Sequence, residues 1–148
     1  MTSPTSAVPS TDRRRGRSAL ALFVGFLFIV VSSLAVDQLF HSLGVYPPWG
    51  EPMYDPGLNL LALAYRSVFA VIGCYLAARL APHSPMRHAM ILGVIGVVLS
   101  TAGAIGMMGR NAGPSWYPIA LVLTTLPLAW LGGAIQRRQV GRRSGGVG

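Results

Sequence analysis

Lysine is absent from this chain, cysteine occurs once, and only four of the 148 residues are acidic. Each shortage removes a class of function. The single thiol, Cys74, has no partner for an internal disulfide or for dithiol exchange, so redox chemistry through cysteine pairs is excluded. Lying in an apolar run, Cys74 reads as a small buried residue. With 11% charged and 52% hydrophobic residues, the sequence has too little polar surface for an ordinary soluble domain. It also shows no glycine-rich phosphate loop after a strand, no clustered histidines and no nucleophile set beside a base. A non-enzymatic protein with no cofactor is the class these absences leave.

What remains is basic, with a formal net charge of +8 carried by twelve arginines. On one folded face such a surplus would suit nucleic acid. Here Arg13, Arg14, Arg15 and Arg17 precede the first apolar run, Arg79 and Arg87 flank a short turn, and Arg137, Arg138, Arg142 and Arg143 follow the last run. That is the distribution of topological anchors, so nucleic acid is not an expected partner and the lipid bilayer is.

Uncharged runs of about the length needed to cross a hydrocarbon core cover residues 18–36, 58–79, 88–109 and 116–135, with Arg66 the one deep interruption. Only helices satisfy their own backbone in lipid, so the expected fold is all-α, an integral membrane four-helix bundle. The arginine bias places both termini in the cytoplasm, of a bacterial cell with the protein in its inner membrane. The first run also carries basic residues before it and Ser33-Leu34-Ala35 after it, as a signal peptide would. Its apolar length exceeds the usual ~7–15 residues, which favours a retained span. Residues 1–17 and 137–148, rich in Ser, Thr, Pro or Gly and in arginine, read as disordered basic tails. The turn Ala81-Pro82-His83-Ser84-Pro85 makes the second and third spans antiparallel neighbours. His83 and His88 beside it read as solvated turn residues.

Close approach of helices in lipid depends on small side chains. The third span has Ala89, Gly93, Gly96, Ser100 and Gly103 at heptad-like spacing, a packing seam on one face. In the second span Ala62, Ala70, Gly73 and Ala77 share a face with Arg66. Pro127 interrupts the hydrogen bonding of the fourth span, where Thr124 and Thr125 are available to bind the freed backbone groups.

An ionisable group at bilayer depth is a functional-site candidate. Arg66, turned into the bundle, is expected to pair with Asp37 at the end of the first span, with Glu51 and Asp55 as alternatives, and to donate to Asn59 one heptad earlier. Asp37 and His41 lie on one face of a helical extension ending at Gly44. The proline-rich connection that follows holds Tyr46, Trp49, Glu51, Tyr54 and Asp55. A divalent-metal site from Asp37, His41, Glu51 and Asp55 lacks ligand spacing, whereas Tyr46, Trp49, Tyr54, Trp116 and Tyr117 match an interfacial aromatic belt. Arg110 is a further partner for Glu51 or Asp55. The expected function is that of an interaction or accessory protein meeting a protein partner or a second copy. The alternative is a small-solute or anion transporter or channel component with Arg66 as its counter-charge.

Overall fold

Apolar runs in which the backbone has no solvent to bond become helices. The computed structural model describes residues 11–144, and among them it has four helices and no strand: α1 (Thr11–Ser42), α2 (Pro56–Leu80), α3 (Pro85–Gly109) and α4 (Trp116–Ser144). Each contains a stretch long and apolar enough to cross a membrane, with mean hydropathy between 1.7 and 2.7.

The helices overrun the apolar runs. Because α1 begins at Thr11 and α4 ends at Ser144, the stretches expected as tails at 1–17 and 137–148 are helical wherever they are described. Arginine is a good helix former, and a nucleated helix extends by one hydrogen bond for each residue fixed. The expected disorder of residues 1–10 and 145–148 lies outside the described residues.

Helix ends are set by local chemistry. At the C-terminus of α1, the Val45 N–H bonds the Phe40 carbonyl at 2.9 Å and the Gly44 N–H bonds the His41 carbonyl at 3.2 Å, with Gly44 at φ +68°. This is a Schellman stop, which needs a left-handed residue that glycine supplies without strain. Asn111, at φ +49°, repeats the arrangement after α3, through Ala112 N–H to Met107 and Asn111 N–H to Met108. The Asp55 carboxylate caps α2 by accepting from the Leu58 N–H at 2.9 Å, and Pro56 opens the first turn.

The segments 43–55 and 110–115 therefore lie at one end of the bundle, called the cap end, and the α2–α3 turn lies at the other with the start of α1 and the end of α4. Centrally, α2 contacts α1, α3 and α4; α3 and α4 pack along much of their length; α1 touches α3 briefly and α4 not at all.

Backbones approach through glycine at the end opposite the cap. A Cβ at Gly25 of α1 would sit 2.6 Å from the Gly73 carbonyl of α2, and one at Gly132 of α4 would sit 2.5 Å from the Val71 carbonyl. The small-residue face of α3 divides in two. Ala89 is fully buried, Gly93 abuts Ala129 and Gly96 abuts Thr125, but a Cβ at Gly103 would meet nothing within 4 Å, and Ser100 and Gly103 line an open cavity. The expected seam is a seam only in its first half, because α3 has no neighbour to receive the second.

In α4 the helix passes through Pro127 unbroken. Thr124 and Thr125 donate to Ala120 (2.7 Å) and Leu121 (2.6 Å), each one turn back, rather than to Leu123. A side chain that leans towards its own N-terminus reaches the carbonyls three or four residues earlier and not the one beside it.

Gly132→Ala is expected to cost about 1–3 kcal/mol, since the intruding methyl meets backbone that cannot yield, whereas Gly103→Ala should be neutral or stabilising by up to ~1 kcal/mol. Denaturant unfolding in detergent micelles checks the contrast, and equal losses would refute it.

Candidate functional site

Arg66 lies about 15 Å along α2 from Pro56, at about 1.5 Å per residue, and it faces the cap-end stretch of α1. Its Nη2 donates to Asp37 Oδ2, the only ion pair among the described residues. Asp37 is buried, and its second oxygen, Oδ1, accepts from the Tyr65 hydroxyl. One carboxylate thus receives two adjacent side chains of α2. A carboxylate has enough acceptor sites for both donors, and a neighbouring cation offsets its desolvation.

Tyr65 leads towards the cap. The Tyr46 hydroxyl lies 3.5 Å from both the Tyr65 hydroxyl and the Leu58 carbonyl, and the Phe40 ring meets Tyr46 and Tyr65 edge-on. Tyr46 is buried here with Ala62 and Tyr117, so Tyr46 and Tyr117 plug the bundle and do not stand in an interfacial belt. Their rings carry enough apolar area to be drawn under the cap, where the hydroxyl of Tyr46 still finds partners. Burial pushes the Tyr46 hydroxyl above the ordinary tyrosine range.

Several expected partners are used elsewhere. Asn59 does not accept from Arg66; it is fully buried and donates to the Met53 carbonyl (2.9 Å) and the Asp55 carbonyl (2.8 Å). Helical side chains tilt towards the N-terminus, so Asn59 reaches back into the connection and away from the residue one heptad on. His41 turns from Asp37 to the loop, its Nδ1 2.6 Å from the Pro47 carbonyl and its ring against Trp49 at 3.9 Å. Asp55 is spent on the helix cap. Glu51 and Arg110 are both exposed and form no ion pair. No group of three His, Cys, Asp or Glu side chains stands ready for a metal among the described residues. At the opposite end His88 is buried, its Nδ1 3.2 Å from the Ser84 carbonyl, so of the two histidines only His83 is a solvated turn residue.

These bonds make the 43–55 connection a stiff cap. Met53 N–H bonds Ala112 (2.9 Å) and the Tyr54 hydroxyl bonds the Asn111 carbonyl (2.7 Å), joining it to the α3–α4 loop. Trp49 bonds Gln38 at 3.3 Å yet leaves 61% of its surface exposed, and Tyr54 leaves 56%.

Beneath the cap, Arg66 and Asp37 form one wall of a cavity of about 510 Å³ between α1 and the α3–α4 pair, floored by α2. Its walls run from Ser33, Ser67 and Tyr117 near the ion pair to Phe26, Leu92 and Leu128 further away.

No family model matches the chain, and no curated protein or solved structure resembles it closely enough to count as a match. The structure therefore defines its class by itself: four apolar helices compatible with a small membrane protein, tied by one ion pair under an aromatic cap.

Removing one ion-pair partner strands the other in apolar surroundings. Asp37→Leu and Arg66→Met are each expected to cost about 2.5–3.5 kcal/mol, and the double variant less than either alone. Tyr65→Phe should cost about 0.5–1.5 kcal/mol. A double-mutant cycle in detergent unfolding measures all three, and additive losses for Asp37 and Arg66 would contradict the coupling.

Proposed function

We propose that this protein is a non-enzymatic interaction or accessory component of a bacterial cytoplasmic membrane, recognising a protein partner or a second copy through its cap. The observation that carries this reading is the braced connection 43–55, which holds Trp49 and Tyr54 exposed on a framework of bonds to α1, α2 and the α3–α4 loop. Rigid aromatic side chains lose little conformational entropy on binding and dominate recognition surfaces. The anion-transport alternative is weakened because Asp37 already neutralises Arg66.

Orientation follows from charge. Arg14, Arg15, Arg17, Arg79, Arg87, Arg137, Arg138 and Arg142 belong to the end away from the cap, while Arg110 is the one arginine of the cap connections. The positive-inside rule sets the arginine-rich end in the cytoplasm and the cap outside.

Glu51→Cys should react with a membrane-impermeant maleimide on intact cells and Gln139→Cys only after lysis, with Cys74 silent because it is buried. The reverse pattern overturns the orientation. A photo-crosslinking amino acid at position 49 should give one discrete adduct, with a partner or a second copy, that Tyr54→Ala weakens at least about tenfold, the loss of a ~1.4 kcal/mol contact. Absence of any adduct, together with Arg66-dependent anion flux in vesicles, would favour transport instead.

A further inference from the structure

The cavity beside the ion pair is an elongated groove. Its lining on α1 runs from Phe26 to Asp37 and on α3 from Leu92 to Met107. At about 1.5 Å per residue these stretches are roughly 16–22 Å long. The opening of about 510 Å³ is spread along that length, and a single hydrocarbon chain, packing at carbon–carbon distances of about 3.5–4.0 Å, can follow it from end to end.

The groove also carries its only charged groups, Asp37 and Arg66, at one end. Arg66 has five N–H donors, of which one is bonded to Asp37 and Nε is buried without a partner. The side chain lines the cavity, and 35% of it remains exposed. Donors at that depth have no bulk water to satisfy them. With Asp37 already cancelling its charge, the guanidinium offers hydrogen bonds but no net attraction for an anion. Desolvating a phosphate there would leave a net negative charge in a low dielectric.

We propose that this cavity binds a neutral, single-chain amphiphile with a carbonyl acceptor, the carbonyl at Arg66 and the chain running between α1 and α3 towards Leu92 and Leu128. Two sources share that chemistry: an acyl ester of the membrane and a prenylated quinone. The site is independent of the cap and of whatever the cap meets.

The test uses the full chain in detergent micelles with a diazirine-bearing methyl ester of palmitic acid as photoprobe. Adducts are expected on cavity residues such as Phe26, Leu99 and Leu121. The matched diazirine alkane should label them at least about tenfold less. Gly103→Leu, which fills the groove from a position with open space around its Cβ, should reduce labelling at least about tenfold. Gly106→Leu, equally uncrowded but outside the cavity lining, should not. The Asp37→Leu/Arg66→Met pair should erase the preference for ester over alkane while chain labelling persists. Competition by monoolein assigns the site to acyl esters, and competition by a decyl-chain quinone assigns it to quinones. Labelling spread over the lipid-facing surface and indifferent to Gly103→Leu overturns the site. Equal labelling by ester and alkane, or competition by neither carbonyl compound, overturns the carbonyl assignment. Both readouts leave the cap crosslink at position 49 untouched, so failure here is distinct from failure of the interaction reading.

Discussion

Within an apolar bundle a lone carboxylate and a lone guanidinium are each costly, and together they are a directional tie. Asp37 and Arg66 fix how α1 lies on α2: the carboxylate takes the Arg66 Nη2 on one oxygen and the Tyr65 hydroxyl on the other, so neither helix can rotate or slide without breaking a bond in a medium that offers no substitute. The rest of the cap end follows from that register. Tyr65 is held where Phe40 and Tyr46 close over it, and Tyr46 draws the start of the connection down onto the bundle. The far end has no ion pair; there the helices meet through backbones at Gly25, Gly73 and Gly132, and the Tyr75 hydroxyl of α2 donates to Gln139 of α4 at 2.7 Å. The buried ion pair thus belongs to one end, and the closest helix-to-helix backbone contacts lie away from it.

The cavity lies where that closeness ends. Where glycines meet, helices converge; at the clamp α1 is held against α2 with no contact to α4, and the small face of α3 is left without a neighbour beyond Gly96.

Four helices were legible in the sequence because apolar runs without charge leave the backbone a single solution. Their ends were less so. The arginines of residues 13–17 and 137–142 advertise solvent, yet helix extension depends on backbone bonds and not on burial. Arg66 stood out as the lone charge within a span, and Asp37 as the acid nearest its level. Tyr65 left no comparable mark, since a tyrosine beside an arginine in a span reads equally well as lipid-facing, and only the rotation of α2 against α1 decides. The roles of Asn59 and His41 were hidden by direction: spacing says which residues share a face, but the tilt of the side chain says which end of it they serve. The split in the α3 stripe was invisible for a further reason, because a small residue permits contact without supplying the helix that makes it.

The central position of α2 has a consequence for how such a chain enters a bilayer. α1 emerges first and brings Asp37 with no cation to meet it; α2 follows with Arg66 and would carry its charge alone at a cost of about 2.5–3.5 kcal/mol. With only residues 43–55 between them, the two spans form one hairpin in which the charges cancel. α3 and α4, free of any acid and of any interior arginine, form a second hairpin packed on α2. Reversing the order of the hairpins would cut the α2–α3 turn and leave the buried Asp37–Arg66 pair to the second hairpin of the chain.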